Sequence, residues 1–427
     1  MRARRALGAS TIGSIVEAYD WTIYGALAPY FSDQLFPGSS PAARLLAAYL
    51  GFALGFLVRP VGSIVIGRLA DTRGRRFGLV LSITLAATAS LAIAVVPGYS
   101  SVGISAPLWI VAARLVQGLS VGAENPSAAA YVTETAPAAR RYLYSAVSYG
   151  GVVIGSALSL AVVSALLAIA GESGLRAGGW RIGFLAGALL GLVGLWIRTG
   201  VTESRVFTDE VAARPRPRPT RILRDHVRAM AVILAVTAAA TTVFYFCTVH
   251  LPVYASDVAG IPKVTTSSAL LVGMVALLVA MLAAGMLADR FSAMWVLRIG
   301  FGALALLSVP LLRGMAAGAV PVLVVVVVLL VALALPLAVS NVFAGLLFAP
   351  AVRVVAAGLP AALAISVFGG GFPAFAELLR THGRTSWIPW WIAGIALVAL
   401  LASWGVPRSA QSSESPLPER DEYVSAV

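Results

Sequence analysis

Gly67-Arg-Leu-Ala-Asp71-Thr-Arg-Gly-Arg-Arg76 sets four arginines and one aspartate between two long apolar runs. A near-copy, Gly285-Met-Leu-Ala-Asp289-Arg290, returns 218 residues later, about half the length of the 427-residue chain. A charged loop repeated at half length between apolar segments points to two homologous membrane bundles. Facing bundles of this kind are the architecture of an alternating-access carrier.

The runs on either side of this loop support a membrane reading. Hydrophobic residues make up 59% of the chain and charged residues 11%, against about 45–50% and 25% in soluble domains. Stretches 78–96, 231–246 and 320–339 hold no charge, and about 20 such residues cross the ~30 Å hydrocarbon layer as a helix. The pattern predicts an all-α integral membrane fold with twelve transmembrane helices in two pseudo-symmetric six-helix bundles. The spans are 10–31, 44–68, 77–97, 105–131, 142–170, 181–199, 228–252, 265–288, 294–312, 320–349, 354–379 and 387–406. With both termini on one side, that side carries 22 of the 31 basic residues and the other side seven. This bias obeys the positive-inside rule and places both ends in the cytoplasm of a plasma-membrane protein. The net charge of +13 is therefore a topology signal, and no nucleic-acid partner is expected. The sole lysine, Lys263, reads as coding bias.

Residues 1–199 form the first bundle and 228–406 the second. Between them, 200–227 contains Arg214-Pro-Arg-Pro-Arg-Pro219, which suits neither helix nor sheet interior and reads as a stiff cytoplasmic linker. The tail 407–427 is rich in Ser, Pro, Glu and Asp and reads as disordered. The start has features of a signal peptide (Arg2, Arg4, Arg5, then Ala26-Leu-Ala28). Glu17 and Asp20 interrupt its apolar run and Pro29 follows it, so a retained first span is expected.

Ionisable residues within the spans are the candidates for chemistry. At mid-membrane each costs on the order of 2.5–3.5 kcal/mol, so it should face an aqueous cavity or an opposite charge. Glu17 and Asp20 lie three apart and share a helix face, with Tyr24 continuing the stripe. Two adjacent acids repel when both are ionised, which favours a proton on one. They are the candidates for the coupled proton, the plainer alternative being a static ion pair with an arginine. Arg114 in the fourth span presents a planar fork suited to a carboxylate, either from the first helix or from an anionic substrate, and Gln117 continues its face. Glu124 lies roughly 15 Å further along the helix, out of its reach. Arg59, before Pro60, is a secondary substrate candidate with a snorkelling or interhelical role as the equal alternative.

In the second half, Thr241, Thr242, Tyr245, Cys247 and His250 make the seventh span polar. Tyr245 offers a donor and a ring to a small organic substrate, or packs between helices; Asn341 is a further buried polar candidate. His250 is placed at the outer boundary; Glu377 in the eleventh span is another buried polar candidate, with contact to water near the outer end as the alternative. Glycines 151 and 155 allow close helix approach. On the cytoplasmic side Gly67, Asp71, Gly74, Arg75 and Arg76, joined by Glu134, form a polar constellation. An aspartate at a helix end accepts from backbone and arginine together; anchoring by the arginines alone is the alternative.

These residues resemble the major facilitator superfamily and, within it, the metabolite:proton symporters, over about 10–406. Residues 67–76 resemble the signature between helices 2 and 3, and Arg114-Leu-Val-Gln-Gly118…Gly122-Ala-Glu124 that of helix 4. Glu17-Ala-Tyr-Asp20 resembles the acidic pair of helix 1, and Leu57-Val-Arg-Pro60-Val-Gly62 the helix 2 segment. Gly179-Trp-Arg-Ile-Gly-Phe184 and Val201-Thr-Glu-Ser resemble the two ends of helix 6, and Phe368-Gly-Gly-Gly371 the helix 11 glycine run. Each motif is weakly specific; together and in order they are strong. The resemblance implies that the 67–76 loop latches the halves, that Arg114 belongs to the coupling machinery, and that the substrate is a dicarboxylate, shikimate-like acid or betaine. Departures are Ala123 in place of a glycine, and Phe291, Ala293 and Met294 where the first repeat has Arg73, Arg75 and Arg76. The segment 346–353 also lacks the family's acidic character. Residues 150–155 lack the Gly-Pro element of antiporters, which favours symport.

The expected function is secondary active transport of a small organic acid or zwitterion with a proton, by rocking of the bundles, in a lipid bilayer and without a cofactor. A non-translocating sensor and a membrane-embedded enzyme are the alternatives. No phosphate-binding Gly-x-x-x-x-Gly-Lys-Ser/Thr loop is present. The three histidines are scattered, so no metal cluster or histidine triad is legible. A lone cysteine excludes an intrachain disulfide.

Overall fold

In the computed structural model the described residues are 2–73, 75–121, 137–199, 226–348 and 353–405, and every element among them is helical. The first half comprises α1 (Arg2–Leu35), α2 (Pro41–Leu57), α3 (Arg59–Arg73), α4 (Arg75–Ala94), α5 (Ser105–Val121), α6 (Arg141–Gly174) and α7 (Trp180–Thr199). Proline at the start of α2 follows Ser40, whose side chain accepts a hydrogen bond from the Ala43 amide, a combination that starts helices. The second span is interrupted at Val58, between α2 and α3. Pro60 lacks an N–H and crowds the preceding turn, which accounts for the break.

The second half comprises α8 (Val227–Tyr245), α9 (Leu251–Ala259), α10 (Lys263–Arg290), α11 (Ala293–Ala316), α12 (Val322–Leu346), α13 (Arg353–Ala364), α14 (Phe372–Thr381) and α15 (Ile388–Ala402). A π-helical turn, Phe246–His250, joins α8 to α9, and another, Ile365–Gly370, precedes α14. Each of the twelve expected spans holds helix. The fourth is described only as far as Val121; the tail and the linker up to 225 lie outside the described residues, and Val227 already belongs to α8.

Eight helical stretches among the described residues are long and apolar enough to cross a membrane. The longest, Arg141–Ile197, has 57 residues, well beyond the ~20 that one crossing needs. It holds two spans: Gly171 (φ 66°) and Gly178 (φ 130°) take backbone conformations that reverse the chain between α6 and α7. Leucine, valine and tryptophan are strongly exposed on the outer faces of these helices, as at Trp196 (76%) and Leu306 (75%). An apolar exterior with all backbone groups engaged in helices is what a bilayer demands. The chain is a multi-pass membrane protein.

Within the first half α1 packs on α6, and α4 on α5 and α7; within the second, α10 and α11 pack on α12. Across the halves α10 lies along α6, α2 meets the 365–370 turn and α14, and α1 meets the 246–250 turn. Lys263, read from sequence as incidental, bridges the halves through Glu172 at 3.0 Å. Glu172 is 45% exposed, so this pair contributes little to stability, about 0–1 kcal/mol.

Helix approach is closest at glycine. A Cβ at Gly155 of α6 would lie 2.2 Å from the Ile15 carbonyl oxygen of α1, as the small-residue reading of 155 expected. We predict that Gly155→Leu forces α1 and α6 apart and lowers the melting temperature of the purified protein, overpacking costing about 1–3 kcal/mol or more. Gly302→Leu, at a position with only ordinary contacts 3.9 Å away, should leave melting nearly unchanged in the same assay.

Candidate functional site

The α1 stripe places its two acids in different surroundings. Glu17 is partly buried and pairs with Arg59 at 3.6 Å. The Arg59 guanidinium is held between rings, 4.2 Å from the Trp21 centroid and 4.0 Å from that of Phe56, and reaches Tyr245 of α8. Facing π-clouds replace part of a guanidinium's hydration. Arg59 sits in this position because α2 breaks one residue earlier. The guanidinium is buried between helices and does not snorkel to the surface.

Asp20 is buried. Its Oδ1 accepts from the Ser90 hydroxyl at 2.7 Å and its Oδ2 from Gln117 Nε2 at 3.4 Å, and Gln117 also donates to Ser90 at 2.8 Å. The pair thus joins α1, α4 and α5. Gln117, read from sequence as a substrate contact, is here a partner of the acid. The third wall is α7, where a Cβ on Gly187 would lie 2.7 Å from Asp20 Oδ1.

Arg114 is fully buried, and none of its three guanidinium nitrogens has a hydrogen-bond partner among the described residues. Its charge is met by the Tyr24 ring at 3.8 Å, by Trp21 at 5.4 Å, and electrostatically by Asp20. The direct helix 1 ion pair that its fork would suit is not formed in this conformation. An unsatisfied buried guanidinium is costly and is poised to take an anion.

A cavity of about 20 Å³ is lined by both acids together with Ser82, Gln117 and Ser120 among others. It has room for about one water molecule. Beyond it Trp21, Tyr24, Phe52, Phe56 and Tyr245 form a continuous aromatic seam, with ring centroids 4.0–5.8 Å apart. Ser366 donates to the Phe56 carbonyl at 2.8 Å, and Gly370 packs on the Phe56 ring, so the halves are closed on each other here.

Two polar residues of the second half are fully covered by protein. Glu377, a buried polar candidate from the sequence, is 0% exposed and takes two hydrogen bonds from Arg380, at 2.9 and 2.6 Å. His250 ends the π-turn and is equally buried. On the other side, the carboxylate of Asp289 accepts from the Tyr142 and Leu143 amides at 2.9 and 3.0 Å. It caps the start of α6 across the halves. Ser90 and Tyr49 carried no sequence signal. The side chains of Gly67, Asp71, Arg75, Arg76 and Asn341, together with Gly74, Glu124 and Glu134, lie outside the described residues.

The sequence model of the Major Facilitator Superfamily matches residues 10–371, and the chain belongs to that family. It is 37% identical over 254 residues to the alpha-ketoglutarate permease of Escherichia coli (strain K12), covering 60% of this chain and 58% of the permease. It is 34% identical over 267 residues to the shikimate transporter of the same organism, covering 61% of each. To the glycine betaine/proline/ectoine/pipecolic acid transporter OusA of Dickeya dadantii (strain 3937) it is 29% identical over 321 residues, 72% of this chain and 64% of that protein. These matches span about three fifths of the relatives' lengths. The crystal structure of a D-xylose-proton symporter superposes with a TM-score of 0.71 at 17% identity, covering 98% of this chain and 100% of that one. The fold is accordingly the twelve-helix major facilitator fold.

We predict that Asp289→Ala uncovers the Tyr142 and Leu143 amides. Hydrogen exchange there should accelerate about five- to thirtyfold, matching a cap worth about 1–2 kcal/mol, while exchange in α11 should not change.

Proposed function

We propose that the protein is a secondary active transporter that moves a small organic acid or zwitterion together with a proton by alternating access. The observation that carries this reading is Asp20 and Arg114: opposite charges, both buried and electrostatically coupled, with the guanidinium left without a hydrogen bond among the described residues. In the proposed cycle a proton neutralises Asp20, whose hold on Arg114 weakens. Arg114 then binds the substrate carboxylate, and the halves rock about the aromatic seam. Return of the empty carrier follows release of both. Glu17 is already engaged by Arg59, so Asp20 is the proposed proton carrier of the two. Arg59, Tyr24 and Tyr245 shape the chamber wall, and Gln117 holds Asp20 in place.

The names of the relatives support the substrate class: a 2-oxo dicarboxylate, a hydroxylated ring acid and several zwitterions. We further propose that the chain divides into bundles 1–199 and 228–406, with linker 200–227 and tail 407–427. The cytoplasmic latch assigned to Gly67, Asp71, Gly74, Arg75, Arg76 and Glu134, and a substrate contact for Asn341, remain part of the proposal. So do a plasma-membrane location and cytoplasmic termini, which terminal reporter fusions would check.

Reconstitution in sealed vesicles tests the function. Alpha-ketoglutarate, shikimate or glycine betaine should accumulate when the outside is made acidic, and the accumulation should collapse with a protonophore. Asp20→Asn should abolish gradient-driven accumulation yet retain exchange of labelled for unlabelled substrate. Arg114→Gln should weaken binding about 10- to 100-fold, the range expected for losing charge-assisted hydrogen bonds. Uptake by wild type that ignores the proton gradient would refute the coupling.

A further inference from the structure

Two polar side chains on the outer side of the seam are buried with nothing to bond. Tyr49 of α2 is fully buried, and its hydroxyl has no hydrogen-bond partner among the described residues. His250, closing the π-turn of the seventh span, is equally buried, and both its ring nitrogens are in the same condition. The two residues belong to opposite halves and meet edge to face, with ring centroids 6.3 Å apart. Phe372 closes a further side, 6.5 Å from the imidazole.

Tyr24 links this pair to the centre. Its hydroxyl donates to the carbonyl of Ala48, next to Tyr49, at 3.0 Å, while Arg114 lies over its ring. The charged neighbours are on α14, where Glu377 and Arg380 are bonded to each other.

Buried donors and acceptors are costly when left unmade. Phenylalanine and leucine would fill these positions without that cost, so the polar atoms are not explained by packing. A neutral imidazole offers one donor and one acceptor, and a phenol offers both. Together they suit a hydroxyl, or, as two donors, a carboxylate.

We infer that Tyr49 and His250 determine specificity by receiving a hydrogen-bonding group of the substrate, a hydroxyl or second carboxylate, at the end away from the carboxylate held by Arg114. This rests on the transport reading above. The outer halves then close favourably over an acid whose far end satisfies the pair, and unfavourably over one whose far end is hydrocarbon or trimethylammonium. A site built to hydrogen-bond its ligand rejects analogues lacking the group because its own polar atoms stay unpaired.

The experiment compares matched acids on the purified full-length protein by calorimetry: quinate against cyclohexanecarboxylate, glutarate against pentanoate, and glycine betaine alone. Wild type should bind at least one polar member about tenfold or more tightly than its apolar partner. In Tyr49→Phe/His250→Leu that ratio should fall to within about twofold, through weaker binding of the polar member alone. Tyr49→Phe/His250→Gln should recover part of it. Should the double variant fail to elute as a folded protein, Tyr49→Phe alone supplies the comparison. An unchanged ratio, equal losses for both members, or glycine betaine binding as tightly as the polar acids would overturn the inference and leave transport standing. If wild type binds none of the five and accumulates none in vesicles, the transport reading itself fails.

Discussion

Everything in the interior follows from carrying ionisable groups into a medium that cannot hydrate them. Glu17, Asp20, Arg59 and Arg114 meet this requirement unequally. The first and third answer each other and are wrapped by indole and phenyl faces. Asp20 takes neutral donors from two other helices, and Arg114 is left with π-faces and the charge of Asp20. In the cycle we propose, the satisfied pair stays as it is. The unfinished one changes state when a proton or an anion arrives, because either event alters what the remaining charge must find. The division of labour among four similar residues is thus set by their neighbours and not by their own chemistry.

The same inequality appears between packing within a half and packing across halves. Inside the first half α2 and α5 approach so closely that a Cβ at Gly118 would fall 2.1 Å from the Gly55 carbonyl oxygen. Such contacts lock helices as a unit. Across the halves the outer seam is made of aromatic rings and one side-chain-to-backbone hydrogen bond from Ser366. The two π-turns of the second half, Phe246–His250 and Ile365–Gly370, meet the opposite half at this seam. π-turns are frequent at functional sites. The rocking we propose takes place about this irregular seam.

Much of this was legible before any coordinates. Hydropathy blocks located the twelve spans because a bilayer imposes length and polarity on every crossing. Helical spacing put Glu17, Asp20 and Tyr24 on one face, and burial marked Arg114 as needing a partner. Spacing along one helix says nothing about which neighbour lies opposite, so the separate fates of the two acids were invisible. Ser90 is one serine among many in apolar runs, and only tertiary packing distinguishes it. The complete burial of His250 is hidden for the same reason, because in a bundle a neighbouring helix covers a position near a span end as readily as solvent does.

The second copy of the repeated loop keeps Gly285 and Asp289, while Phe291, Ala293 and Met294 stand where the first has Arg73, Arg75 and Arg76. Gly285 is where α10 meets α6, a Cβ there lying 2.9 Å from the Tyr142 carbonyl oxygen. Asp289 then reaches the first free amides of α6, with Arg140 as an electrostatic neighbour. A helix start has unsatisfied N–H groups and a partial positive charge, so one carboxylate suffices to hold it. The contact between the halves is thus held by the glycine and the aspartate that the second copy retains.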